Sequence, residues 1–496
     1  MKKKVLFLFP NTANTPEIPR AITILAAVAK NLGWEIDYFD TFIYKIESDS
    51  MEDREKSGEF KSVSDNLYEF KNINELWVEL QYKIDSFNPS IIAISCSSFE
   101  YDFLLTFWDK INIPEDSFTV IGGIHSILMP DDVIASGFFD IVCLGEGEKT
   151  FQDILISSES GYDLSKISNT SYRDKKSGVV TKNRRNALIK EEELWHIRPC
   201  LDSFDDKYFL KHFDGRLVRR YDIDVARGCA FDCTYCGNSA LKEAYKGLGK
   251  FVRTRPIASS IEVMRKVIDD HGIELFYIED ECFLSHSKKW LKGFAEEYGR
   301  EIRKPFIVQT RPENITDEKV NILKEMRAPF FQISMGVESG SDFILSKVCN
   351  RKVSIDRMIE AYDTCHKYNI RTCAFFMIGF PYETREDIFK SITLCRRLKP
   401  TVAIVSTFQP MPGQKLRELC IKEGYITGKE RMEKFTGGSV LNMPQISRQE
   451  ILNLRRVFML YAYLPEKYYS DIEKCEKNYA ENIELYKTLT NLRWNI

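Results

Sequence analysis

Twice along the chain, short apolar runs alternate with stretches of helical periodicity, and that alternation leaves few folds open. In the first tract Val5 to Phe9, Glu35 to Phe39, Pro89 to Ser95, Phe118 to Gly122 and Ile141 to Leu144 read as strands. Arg20 to Leu32 reads as a helix closed by Gly33. Ile91, Ile92, Ala93 and Ile94 leave no polar face. Such a strand must be covered on both sides, as in a parallel, doubly wound α/β sheet. Sheets of this kind take ligands at the carboxyl ends of their strands. Those ends carry Ser95, Ser97 and Ser98, then Gly122-Gly123-Ile124-His125, then Gly145-Glu146-Gly147-Glu148. Glycines and small polar residues let a ligand approach the backbone closely.

The second tract runs over 220–415. Strands are expected at Tyr221 to Ala226, Leu275 to Ile278, Phe306 to Thr310, Phe331 to Met335, Thr372 to Ile378 and Val402 to Phe408, with helices such as Ile257 to His271 and Thr384 to Leu398 between them. Six βα units suit a partial barrel whose functional residues gather at the C-terminal strand ends. Between the tracts, 170–186 reads as a hairpin with a Ser177-Gly178 turn, and 187–220 as a linker. Lys45 to Lys71 is charged and Ser-rich, and is expected as an exposed insertion or loop. Residues 416–496 read as helices, in which Tyr461, Tyr463, Tyr468 and Tyr469 either pack the core or line a channel.

With 496 residues, 44% hydrophobic and 29% charged, the chain has the make-up of an ordinary globular protein of two or three domains. A formal net charge of −3 gives no electrostatic case for nucleic acid or a membrane surface. The run Val5 to Phe9 after three lysines mimics a signal peptide but is short and stopped by Pro10, and no stretch is long and apolar enough to span a bilayer. Thirteen cysteines, an odd number without a framework pattern, point to a reducing cytoplasm rather than disulfides.

Three of those cysteines stand apart. Cys229, Cys233 and Cys236 lie in one turn-sized loop, and no fourth Cys or His follows at ligand distance. A closed zinc site wants four protein ligands. Iron–sulfur clusters are also held by thiolates, and three cysteines on a four-iron cluster leave one iron open for a non-protein ligand. The alternatives are a zinc loop or three metal-free thiols.

This C-x3-C-x2-C spacing resembles the radical S-adenosylmethionine (SAM) superfamily, and further motifs follow in order. Glu279-Asp280-Glu281-Cys282-Phe283 ends one strand, Gln309-Thr310-Arg311 the next, and then come Gly336-Val337-Glu338-Ser339-Gly340-Ser341, Gly379-Phe380-Pro381 and Gln409-Pro410-Met411-Pro412-Gly413. The resemblance implies a 4Fe–4S cluster on Cys229, Cys233 and Cys236, and SAM on its open iron. Tyr235 is then expected near the adenine, as are Gly379 and Pro381. Asp280 or Glu281 is expected at the SAM ammonium, by charge-assisted hydrogen bonding, unless this is simply an acidic helix start. Glu338 is expected at the ribose, with Ser339, Gln309 and Arg311 also in the SAM site.

The G-G-x-H and G-E-G-E runs resemble the cobalamin-binding domain joined to many members of that superfamily. This implies a Rossmann-like cobalamin-binding domain over 1–155, a hairpin and linker over 156–219, a partial (β/α)6 radical SAM barrel over 220–415 and a helical C-terminal region over 416–496. Ser95, Ser97, Ser98, Gly122, Gly123, His125, Gly145, Glu146, Gly147 and Glu148 would surround cobalamin. Many such domains carry D-x-H-x-x-G after the first strand, with a His on cobalt. Here that loop is Pro10 to Glu17 and holds no His. His125 is expected to hydrogen-bond rather than ligate. A vestigial domain without cobalamin stays an alternative.

The expected activity is methylation of an unactivated carbon through a 5′-deoxyadenosyl radical and methylcobalamin, fed by an external flavodoxin- or ferredoxin-type electron donor. The alternatives are oxidative cyclisation or ring rearrangement without methyl transfer, and a non-catalytic cobalamin sensor or carrier. The substrate class stays open among small molecules, lipids, tetrapyrroles and peptides.

Overall fold

The apolar runs of the first tract are buried as their composition demands. The computed structural model describes residues 3–46, 50–60, 68–161 and 163–494. It divides into two units. The first comprises Met1–Asp49, Asp65–Phe209 and Ala240–Arg253. Its strands are β1 (Lys4–Phe9), β2 (Glu35–Asp40), β3 (Ile91–Ser95), β4 (Phe118–Gly122), β5 (Ile141–Cys143), β6 (Thr170–Arg173) and β7 (Val180–Lys182). They line up as β2-β1-β3-β4-β5-β6-β7. The first five are parallel, and the β6–β7 hairpin adds antiparallel strands to the β5 edge.

Alternate residues of one strand enter separate cores, which is what double winding requires. Leu6, Leu8, Ile92 and Ile94 join one core with Trp108 and Phe139. Val5, Phe7, Ile91 and Ala93 join the other with Ile22, Ala26 and Phe151.

The second unit comprises Ser50–Ser64, Leu210–Ser239 and Thr254–Ile496. Its strands are β8 (Leu210–Phe213), β9 (Arg216–Ile223), β10 (Leu275–Ile278), β11 (Phe306–Thr310), β12 (Phe331–Glu338), β13 (Arg371–Ile378) and β14 (Val402–Thr407). The order is β14-β13-β12-β11-β10-β9-β8. From β9 to β14 the strands are parallel, giving the curled half-barrel sheet expected of six βα units. β8 pairs antiparallel with β9.

Two expectations need correcting here. The first barrel strand was placed at Tyr221 to Ala226, whereas β9 starts at Arg216 inside the supposed linker. The reason is the turn Asp214-Gly215, with φ of 54° and 72°. That left-handed pair is what a two-residue hairpin wants, and Asp-Gly signals it. The stretch Lys45 to Lys71 was expected to be an exposed insertion. Residues 47–49 and 61–67 lie outside the described residues, but 50–60 packs into the second unit. Glu59 and Arg455, whose side chains are 0% and 1% exposed, pair at 2.8 Å. Arg54 reaches Glu59 at 2.5 Å and the carbonyl of Val405 on the edge strand β14 at 3.5 Å.

Helices Lys415–Lys422, Arg448–Tyr463, Tyr469–Lys477 and Ile483–Arg493 make up the C-terminal region. Tyr461 donates to Glu476 at 3.0 Å, Tyr463 to the Pro400 carbonyl at 3.3 Å and Tyr469 to the Tyr461 carbonyl at 3.3 Å, so these three serve packing. Among the described residues no helix is long and apolar enough to cross a membrane.

Candidate active site

The three-cysteine loop follows β9 and is tied down on both flanks. Thr234 donates through Oγ1 to the Val348 carbonyl at 2.6 Å and through its N–H to the Cys349 carbonyl at 3.2 Å. Asn350 holds the Asp232 carbonyl at 3.0 Å, and Gln414 holds that of Tyr235 at 2.5 Å. Cys229, Cys233 and Cys236 are half-buried. Burial pushes the thiol of Cys229 up to about 12 and that of Cys236 up to about 11. The charge of Glu281 acts on both in the same direction.

The end of β12 shows why its motif needs each residue. Between Gly336 and Glu338 the register shifts, so the strand bulges, and Glu338 takes a left-handed φ of 68°. Such a conformation costs a non-glycine residue about 1–3 kcal/mol and marks an over-determined site. A Cβ on Gly336 would stand 2.4 Å from Glu338 Oε1 and 3.2 Å from Arg351 Nη1. Glycine there makes room for the Glu338–Arg351 pair, closed at 2.9 Å. Arg351 also donates to the Tyr235 hydroxyl at 3.2 Å. Burial pushes the Glu338 carboxyl up, against the pull of Arg351. Ser339 and Gly340 point the other way. Ser339 is fully buried with its hydroxyl 3.3 Å from that of Ser391, and a Cβ on Gly340 would meet the Lys390 carbonyl at 2.3 Å. They clip the strand end to the helix Arg385–Leu398.

The other strand ends are equally specific. Asp280 is engaged, accepting the Cys282 N–H at 3.1 Å and lying 2.5 Å from His286 Nε2, while Glu281 is exposed. Gln309 donates to the Tyr277 hydroxyl. Arg311 lies over the Phe231 ring at 3.9 Å, pairs with Glu313 at 2.5 Å and donates to Cys233 Sγ at 3.5 Å. Gly379 has φ 82° and, like Phe380, donates its N–H to the carboxyl of Glu383. Burial pushes Glu383 up to about 8. Pro381 is buried beside this turn, and Phe380 meets Tyr235 edge-on at 5.6 Å.

In the first unit the motif residues are mostly taken up by their immediate surroundings. Gly123 (φ 97°) leaves no room for a Cβ, which would stand 2.4 Å from the Cys96 carbonyl. His125 Nδ1 lies 2.9 Å from Ser98 Oγ and its ring stacks on Tyr101 at 4.1 Å. Burial pushes it down to about 4, so it is neutral. Ser97 caps a helix in a capping box with Glu100. A Cβ on Gly145 would meet Asn169 at 2.8 Å, and one on Gly147 would meet Leu25 at 3.2 Å. Glu146 forms a two-armed pair with Arg253, at 2.7 and 2.8 Å, and accepts the Ile189 N–H at 2.8 Å. Glu148 is buried. Ser95 and Gly122 are half-buried neighbours in register at the ends of β3 and β4.

Residues 223–395, which include the cysteine loop and β10 to β13, match the radical SAM superfamily. The chain carries a radical SAM domain. Among its relatives are an uncharacterized methyltransferase of Pyrococcus horikoshii, 26% identical over 77% of this chain and 81% of the relative; the anaerobic magnesium-protoporphyrin IX monomethyl ester cyclase of Rubrivivax gelatinosus, 23% identical over 80% and 70%; and the cytidylyl-2-hydroxyethylphosphonate methyltransferase of Streptomyces wedmorensis, 22% identical over 92% and 89%. In solved structures, the fold is similar to that of the cobalamin-dependent SAM radical enzyme OxsB, with a TM-score of 0.64, 13% identity and coverage of 99% of this chain and 71% of that one. It is also similar to the radical SAM methyltransferase TsrM of Kitasatospora setae, with a TM-score of 0.60, 16% identity and coverage of 85% and 79%.

The residues present fit the cofactors of a radical SAM domain. Arg311 donates to the sulfur of Cys233, and the backbone N–H groups of Phe231 and Asn238 favour the thiolates of Cys229 and Cys236. Such bonds stabilise cluster-bound thiolates. In the first unit, Asn14 Oδ1 in the loop after β1 is buried and has no partner among the described residues, an acceptor that an amide-bearing ligand satisfies.

Sequence reasoning missed Arg351, Glu313 and Glu383. Arg351 lies 13 residues past Glu338 with no local signature. Glu383, four residues after Gly379, was findable, because a left-handed glycine turn exposes N–H groups that a nearby carboxyl can take.

Proposed function

We propose that the chain is a cobalamin-dependent radical SAM enzyme that methylates an unactivated carbon. The observation that carries this reading is the three-thiol loop, with Arg311 donating to Cys233, set beside the Glu338–Arg351–Tyr235 cluster at the strand ends of a half-barrel. We assign residues 1–155 to cobalamin, 220–415 to the radical SAM barrel, 156–219 to the hairpin and linker between them and 416–496 to a helical cover.

Cys229, Cys233 and Cys236 hold the 4Fe–4S cluster. When bound, the cluster and SAM would supply radical chemistry at the substrate carbon, and cobalamin would supply the methyl group. Glu281 takes the SAM ammonium by a charge-assisted hydrogen bond. Glu338, fixed by Arg351, takes the ribose hydroxyls, and the Gly379–Pro381 turn, held by Glu383, presents its backbone to the adenine. Ser95, Gly122, Gly145 and Asn14 line the strand ends offered to cobalamin. The loop Pro10 to Glu17 offers no imidazole to cobalt, and His125 is turned to Ser98. The protein's part is to position reactants and exclude water. An electron donor of flavodoxin or ferredoxin type and a cytoplasmic location belong to the same proposal.

The similarity to the magnesium-protoporphyrin cyclase favours a second reading, in which the same cofactors drive ring formation without methyl transfer. Incubation of the reconstituted enzyme with substrate candidates and methyl-labelled SAM separates the two. Label in product supports transfer; product without label supports the second reading.

A further inference from the structure

We infer that Arg311 serves the cluster rather than SAM, as a positioning residue whose guanidinium tunes the cluster through Cys233. The inference rests on Cys229, Cys233 and Cys236 holding the cluster, as proposed above. Three contacts fix Arg311 and leave it little freedom. Its face lies 3.9 Å from the centre of Phe231, a residue of the cysteine loop itself. Its Nε is taken by Glu313 at 2.5 Å. Its Nη1 is then directed at Cys233 Sγ, 3.5 Å away. The side chain is about one-tenth exposed, so neither solvent nor screening ions weaken the bond much.

The brace continues inward. Arg351, 2% exposed, stands 3.9 Å from Glu313 and 2.9 Å from Glu338. Arg311, Glu313, Arg351 and Glu338 therefore form an alternating row of charges that starts at a cluster sulfur and ends at the proposed SAM ribose site. A planar fork with one arm on a carboxylate holds its other arm in a set direction, which a lysine would not. With Nε held by Glu313, Nη1 of Arg311 is kept on Cys233.

Adding an electron to the cluster adds negative charge to its sulfurs. A cationic N–H donor at one sulfur favours the reduced form, since hydrogen bonds to the sulfurs and nearby charge set cluster potentials. Arg311→Met, which keeps most of the stem over Phe231, is expected to lower the reduced-to-oxidised ratio at a fixed potential about tenfold, a shift of about 59 mV for a one-electron couple. Arg311→Lys is expected to fall between that variant and the wild type.

The experiment is a potentiometric titration of anaerobically reconstituted protein without SAM, followed by electron paramagnetic resonance, with iron and sulfide measured on each sample. A negative shift at unchanged iron content, graded from Lys to Met, supports the assignment. Full iron loading with an unchanged midpoint in both variants overturns it, as does loss of iron from both. If Arg311→Met alone fails to load, the Lys variant decides by the same criterion. Wild-type protein that takes up no iron overturns the cluster assignment instead, and is read from the iron analysis before any titration.

Discussion

The two units end their parallel strands in the same way, in glycines, serines and acids, and then use those groups differently. In the first, Gly123 is filled by the Cys96 backbone, His125 by Ser98 and Tyr101, and Glu146 by Arg253. These strand-end groups are taken up by their immediate neighbours. In the second, Arg311, Glu313, Arg351 and Glu338 stand close together as a row of acids and bases; among the described residues Arg351 Nη2 and Glu313 Oε2 have no hydrogen-bond partner. The difference suits the proposed cargo. A large, amide-fringed macrocycle is held by shape and backbone, whereas a cluster and a zwitterion are held by charge.

The sharpest way to break this contrast is Cys233→Ala. Iron content and deoxyadenosine release are expected to fall to background, while uptake of hydroxocobalamin, followed by its absorbance, stays. Loss of both would mean that the units do not bind independently. Next in size is Arg253→Met, which takes the two-armed guanidinium away from the nearly buried Glu146. It is expected to destabilise the first unit by about 3–5 kcal/mol, measured as a denaturation midpoint. A cost below about 1 kcal/mol would show that the pair does not hold the Gly145–Glu148 loop.

The units are also expected to answer pH in opposite senses. Glu383 is raised from its ordinary 4.5 to about 8, so the folded second unit binds the extra proton. Its contribution is whole below pH 4.5 and drains as pH rises towards 8, by an amount of the order of a few kcal/mol. Urea midpoints of Glu383→Gln and wild type should therefore differ more at pH 8.5 than at pH 5; parallel profiles would refute this. His125 is lowered from 6.5 to about 4, so here the unfolded chain binds the extra proton, and stability is lost as pH falls from 6.5 towards 4. The expected loss is the smaller, about 3 kcal/mol by pH 4. His125→Gln should flatten the acid limb, and an unchanged limb would mean that the imidazole is wetter than its packing implies.

Much of this arrangement is legible in the sequence. The strand runs of both units appear within a few residues, because a strand buried on both faces must be apolar throughout. The cysteine loop and the Gly336–Glu338 motif announce themselves through rare residues at fixed spacing. What is not legible is long-range pairing of charge. Glu59 with Arg455, Glu146 with Arg253 and Glu313 with Arg351 bring together residues 38 to 396 positions apart. Each member alone looks like a solvated charge. The same blindness made 45–71 look like an exposed insertion, since low hydrophobicity hides a segment anchored by buried ion pairs rather than apolar contact.

That segment has a consequence for dissecting the molecule. Residues 50–60 leave the first unit between β2 and β3 and pack in the second, while 240–253 leave the second and pack in the first. Each half thus lends the other a piece of itself, and a cut at a single linker cannot part them cleanly. A fragment beginning at residue 210 would fold around Arg455 with no counter-ion, at a cost of about 3–5 kcal/mol. A workable minimal barrel would have to carry the 50–60 segment along, fused or added in trans as a peptide.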